Sequence, residues 1–169
     1  YFLQLLTCVF LKGIYMLKIV NKKYFYIMVS ISKTRLQALV TAAWLNRGMI
    51  AVVYIWFGFL KVLGTSPAEG LVTKLFNITL EPFMGIQTFL LILGIGECAI
   101  GVLWLFPRLT KFAFWVMIGH LFTTFLPVLF LVEDTWQSFF ALTLTGQYII
   151  KNVVLLSAAW FIFIFREGE

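Results

Sequence analysis

The sequence predicts an all-α integral membrane protein: a four-helix bundle with both termini on the cytoplasmic side and an interfacial N-terminal segment. Three observations predict it. Of 169 residues, 62% are hydrophobic and only 12% charged, whereas soluble domains carry about 25% charged residues. Mean hydropathy is +1.00, too apolar for any surface that water must cover. Four apolar stretches each approach the roughly 20 residues that a helix needs to cross a hydrocarbon core about 30 Å thick.

Residues 1–32 hold apolar stretches broken by Lys12, Lys18, Lys22 and Lys23. None reaches spanning length, and no Ala-x-Ala-like cleavage site follows, so the segment reads as a cytoplasmic or interfacial arm. Tyr1 is not a methionine, so the chain is either a fragment or has its start set too early, with Met16 and Met28 as candidate starts. Residues 34–46 place Leu36, Leu39, Val40, Ala43 and Trp44 at three- and four-residue steps, clear of Arg35, Gln37 and Asn46. That pattern fits a short amphipathic interfacial helix or, equally, the first turns of a long first span.

The first span covers 47–64 and ends at Gly64-Thr65-Ser66-Pro67. The second covers 84–106 and stops at Pro107. The third covers 109–132, joined to the second by a tight turn, and the fourth covers 146–165. The domain organisation is therefore an N-terminal segment 1–46, a membrane domain 47–165 and a tail 166–169. The external loop 65–83 contains LVTKLFNI, a candidate short helix, and the loop 133–145 is rich in Trp, Phe and Thr. Both are apolar enough to fold back on the bundle.

Charge sets the direction. Seven of the thirteen basic residues precede Gly48, and no acidic residue appears before Glu69. Arg108 and Lys111 mark the 2–3 turn, Glu133 and Asp134 the 3–4 loop, and Arg166 the tail. Basic and acidic segments alternate, which gives in, out, in, out, in. The net charge of +6 thus reflects membrane orientation and attraction to anionic lipid, not nucleic-acid binding. The two cysteines, Cys8 and Cys98, are far apart, which excludes a disulfide framework and a CxxC redox centre.

A charge at the centre of a spanning helix costs about 2.5–3.5 kcal/mol on insertion scales. Each span nevertheless carries an ionisable residue: Lys61, Glu97, His120 and Lys151. On a rise of about 1.5 Å per residue, Glu97 and His120 fall within about 3 Å of their helix midpoints, and Lys61 and Lys151 about 7–9 Å toward the outside. Tyr54, Gly58 and Lys61 share a face, as do Gly94, Glu97 and Gly101. His120, Thr123, Thr124 and Pro127 share another, and Gln147 and Lys151 a fourth. Glycines beside a polar residue allow close helix approach and turn these faces inward. The two lysines either join this interior or snorkel to outer water. Glu97 and His120 are too deep to snorkel and either form a functional site or lock packing. Thr123 and Thr124 bond their own helix or extend the site. One histidine cannot give bis-His haem ligation, no cluster has zinc spacing, and GIGECAIG lies inside a span, not in a phosphate-binding turn. No catalytic residue set and no metal site is therefore expected, and nothing marks the chain as an enzyme on its own.

YIWFGFLKVLGTSPAEGLV (54–72), LGIGECAIGVLWLFPR (93–108) and GQYIIKNVVLLSAAW (146–160) resemble the DoxX-like family of small bacterial membrane proteins. The resemblance covers about residues 45–165. It implies a four-helix bundle in the bacterial inner membrane and, through a relative that is a subunit of a thiosulfate:quinone oxidoreductase, a link to quinone or sulfur-compound redox. The candidate ligand residues are Lys61, Glu97, His120, Thr123, Thr124, Gln147 and Lys151, with a quinone as the possible cofactor. The alternative is a non-catalytic accessory subunit of a larger, respiratory-type complex, whose partners are lipid and other membrane subunits or further copies of the chain. A transporter is the least favoured reading, because four spans show no internal repeat.

Overall fold

The computed structural model describes residues 33–165. The arm 1–32, with Cys8, Met16 and Met28, and the tail 166–169 lie outside the described residues. The chain divides into two compact units, residues 1–41 and 42–169. The described part of the first is the opening turns of a helix; the rest of the description concerns the second.

Six helices follow in order: α1 (Lys33–Val62), α2 (Glu69–Thr79), α3 (Ile86–Trp104), α4 (Thr110–Phe130), α5 (Val132–Thr135) and α6 (Leu144–Phe165). A 3-10 turn, Pro107–Leu109, joins α3 to α4, and strands β1 (Trp136–Ser138) and β2 (Ala141–Leu142) lie between α5 and α6. Four of the helices are long and apolar enough to cross a membrane. Large apolar side chains stand exposed on each of them: Trp56, Ile92, Phe122 and Val154. In water such surfaces would be costly; against lipid tails they are the ordinary outer coat of a multi-pass protein.

The first span differs from the 47–64 expectation. Its helix begins at Lys33, so the opening-turns reading of 34–46 holds and the separate amphipathic helix does not. Thirty residues at about 1.5 Å each give about 45 Å, longer than the hydrocarbon core. Its C-terminal end is sharply terminated. Gly64 takes φ +66, the Gly64 N–H donates to Lys61 O and the Thr65 N–H to Leu60 O. This pair of bonds is the Schellman stop, which needs a left-handed residue and so favours glycine. The other spans shift by a few residues from 84–106, 109–132 and 146–165.

The loop helix expected in 65–83 is α2. Its Phe76 is buried and packs on Phe89 of α3, with ring centroids 5.1 Å apart. The loop 133–145 contains a feature that the all-α expectation lacked, the β1–β2 hairpin, antiparallel with an irregular register. Thirteen residues are too few for another long helix, and the hairpin lets their backbone groups pair with each other. Phe139 and Phe140 form its exposed tip, and Phe140 adopts φ 61. Both of these loops are tied to the bundle. The Trp136 Nε1–H donates to Val128 O at 3.2 Å, satisfying a carbonyl in the last turn of α4. Lys74 and Asp134 form an exposed ion pair. The Thr143 hydroxyl accepts from the Gly146 N–H and so caps the start of α6.

The apolar core joins Ile50 and Tyr54 of α1, Ile100 and Trp104 of α3, Phe114, Met117 and Leu121 of α4, and Ala159 and Ile162 of α6. Phe114 stacks on Phe163 with centroids 4.4 Å apart. At its edge Arg47 is buried, and its Nη1–H donates to Trp104 O at 3.4 Å. That carbonyl closes α3, where the helix dipole is negative and a cation is favoured.

Candidate functional site

Helices α1 and α3 approach so closely that their backbones touch. A Cβ on Gly58 would stand 2.6 Å from Gly94 O, one on Gly94 2.7 Å from Gly58 O, and one on Gly101 2.9 Å from Ala51 O. No side chain fits at these points, and the glycines that flank Glu97 are what allow the approach. Cys98 occupies the same seam, its thiol donating to Ile55 O at 3.6 Å; it packs as a small residue.

This contact brings Lys61 of α1 against Glu97 of α3. The Lys61 Nζ donates to Glu97 Oε2 at 2.6 Å, and both side chains are 7% exposed. Lys61 lies in the last turn of α1, yet it folds inward instead of snorkelling outward. On the other carboxylate oxygen, Glu97 Oε1 lies 3.0 Å from His120 Nε2 of α4. The far nitrogen, His120 Nδ1, lies 3.2 Å from the Tyr54 hydroxyl of α1. The Tyr54 and His120 rings meet edge to face, with centroids 5.3 Å apart.

Four titratable groups from three helices therefore form one continuous hydrogen-bonded chain: Lys61–Glu97–His120–Tyr54. For a neutral imidazole, donor rules set its polarity. A carboxylate paired with an ammonium is acceptor-only, so Nε2 carries a proton and donates to Glu97. With a neutral imidazole, Nδ1 is then an acceptor, and the Tyr54 O–H donates to it. Ammonium and carboxylate cancel, so the cluster holds no net charge, the arrangement a low-dielectric interior favours.

Three candidates thus come together, and four do not join them. Thr123 donates its hydroxyl to His120 O at 2.7 Å and Thr124 to Leu121 O at 2.8 Å, both within α4. Pro127, one turn beyond Thr123, has no N–H to offer that helix. Gln147 is exposed and donates to Leu142 O at 3.4 Å. Lys151 corrects the expectation of an inward basic pair. It is exposed, with its ammonium 4.8 Å from the Tyr148 ring centroid. The buried side of α6 carries Gly146, Ile149, Ala159 and Ile162, and Lys151 stands across the helix from the first two. A lysine over an aromatic face gains a cation–π contact there.

Tyr54 is the site residue that sequence reasoning left off its candidates. The signal was its spacing, since Tyr54 stands seven residues before Lys61 on the same helix face. Among the described residues no group of three or more His, Cys, Asp or Glu is placed to hold a metal ion.

Fold and site together define a small multi-pass membrane protein with a charged, hydrogen-bonded cluster buried inside its helical bundle. No protein-family model matches the chain, and no curated protein and no solved structure matches it.

Proposed function

We propose that this is a DoxX-like protein of the bacterial inner membrane, with both termini cytoplasmic, whose Lys61–Glu97–His120–Tyr54 relay binds the polar head of a small quinone-type ligand and handles its proton. The observation that carries the reading is the unbroken hydrogen-bonded chain. Intramembrane ionisable groups are expensive, and proton relays are among the uses that justify them. Each station has a donor facing an acceptor. A proton arriving at the Tyr54 oxygen displaces the Tyr54 proton to His120 Nδ1, and the Nε2 proton passes to Glu97. The Glu97 carboxylate takes up the proton and becomes neutral, which leaves the added charge on the Lys61 ammonium; at rest Lys61 holds the carboxylate in place. A quinone suits such a site because its carbonyl oxygens gain and lose protons as its oxidation state changes. The quoted motifs around Lys61, Glu97 and Lys151 support the DoxX-like assignment. The external placement of Gln147 and Lys151 reserves them for the outer surface of the bundle and leaves ligand handling to the relay.

The test uses full-length protein in nanodiscs and a fluorescent short-tailed quinone. Saturable binding is expected in the parent, weakened at least tenfold, about 1.4 kcal/mol, by His120→Phe and by Glu97→Gln, with unchanged helical circular dichroism. Lys151→Met should bind like the parent. Absence of saturable binding in the parent, or equal binding by all variants, refutes the proposal.

A further inference from the structure

Glu97 and His120 are each preceded by a glycine, Gly96 and Gly119. One residue turns a helix by about 100°. Helices α3 and α4 are antiparallel neighbours, so that backward step runs in opposite senses on the two. It carries both glycines away from the inward-facing pair, on α3 to the flank opposite the Cys98 seam with α1 and on α4 to the flank opposite Phe114, which stacks on Phe163 of α6, so both border the α3–α4 groove. Both are exposed, and a Cβ built on either meets nothing within 4 Å. They are the opposite of Gly58, Gly94 and Gly101, whose absent side chains are filled by a neighbouring helix.

Behind this bare stretch lies the relay. The His120 side chain is 14% exposed, against 7% for Glu97 and Lys61. One turn further out, Thr123 is exposed on the same flank of α4 and is held by its bond to His120 O. The level is fixed by the 3.0 Å Glu97–His120 bond and falls near the middle of both spans. A bilayer centred on these spans would set hydrocarbon, not water, against the groove at that level.

We infer that Gly96 and Gly119 form a lateral port through which a molecule dissolved in the bilayer reaches the His120 edge of the relay. The inference rests on the relay reading and narrows its ligand. The molecule is a small carbonyl- or hydroxyl-bearing head on an apolar body, and it arrives from the lipid instead of external water.

The test is photolabelling of full-length protein in liposomes with a phenyldiazirine dissolved in the bilayer, mapped by peptide mass spectrometry. Carbene adducts are expected on His120 or Glu97. They should fall several-fold in Gly96→Leu and Gly119→Leu, where the new side chain enters open space. They should be unchanged in Gly48→Leu, also an open glycine, and unchanged by glutathione, an aqueous scavenger. Equal labelling of Trp56 and Phe122 in all variants verifies that the fold is retained. The port is overturned if the parent carries no adduct on either residue, if both leucine variants label like the parent, or if glutathione removes the adducts. Labelling reads access and not ligand handling: a port that labels as expected in a protein that binds no quinone leaves the port standing and removes the relay reading.

Discussion

The Lys61–Glu97 pair gives the sharpest energetic prediction. At 2.6 Å and an effective dielectric of about 20, the gross attraction is about 6 kcal/mol. Desolvation of both ions offsets much of it, so the measurable quantity is the cost of orphaning one partner. Lys61→Met leaves the carboxylate with the His120 N–H as its remaining donor and should destabilise by about 3–5 kcal/mol. Glu97→Gln keeps an acceptor for His120 but strands the ammonium, at a cost in the same range. In the double variant neither charge remains. What persists is an amide N–H without its acceptor, worth about 1–3 kcal/mol. The double variant should therefore be more stable than either single one, which needs a coupling larger than either single cost, about 6 kcal/mol at mid-range and above the usual span for residues in contact. Reversible unfolding in mixed micelles, by SDS titration or steric trapping, measures all four proteins. Additivity of the two single costs within about 0.5 kcal/mol would refute the buried ion pair.

Other perturbations separate the remaining parts. Gly58→Ala drives a methyl into Gly94 O and should destabilise by about 1–3 kcal/mol, whereas Gly96→Ala should be neutral or stabilising by up to about 1 kcal/mol; equal thermal midpoints for the two would sink the close-packed seam. Tyr54→Phe removes the donor to His120 Nδ1 and should change the nitrogen shifts of the single histidine in NMR, with a loss of about 1–2 kcal/mol; an unmoved spectrum contradicts the bond. Thr143→Ala removes the cap of α6 and the hydroxyl's bond to Asp134 O and should cost about 1 kcal/mol, read as faster amide exchange in the first turn of α6 and beside α5.

The four long apolar helices were legible because bilayer thickness dictates length and hydropathy dictates composition. The start of α1 was not, because Arg35, Gln37, Asn46 and Arg47 interrupt the apolar run while the backbone continues through them. Arg47 reads in sequence as one more cytoplasmic charge; its burial against Trp104 O depends on where α3 ends, which only packing decides. The β1–β2 hairpin was hidden in a loop whose pairing is local and irregular. In the site, Lys61, Glu97 and His120 stood out because charge inside a membrane is costly. Tyr54 did not, since a phenol passes unnoticed in an apolar helix. Lys151 misled for a related reason. Periodicity groups residues onto a face, but it does not say which way that face looks, and α6 turns its Lys151 side away from the cluster.

The backbone contact between Gly58 and Gly94 also decides where this assembly can yield. With no side chain at that point to compress or rotate, α1 and α3 have little room to slide past each other there, and the 2.6 Å lysine–glutamate bond joins the same two helices. The other two bonds both end on His120, which belongs to α4. Any sliding of α4 by an ångström or so lengthens both at once and leaves the ion pair whole. The imidazole is thus the joint between α4 and the α1–α3 pair, and breaking the hydrogen-bonded chain takes a shift of one helix, not the unfolding of a charge pair.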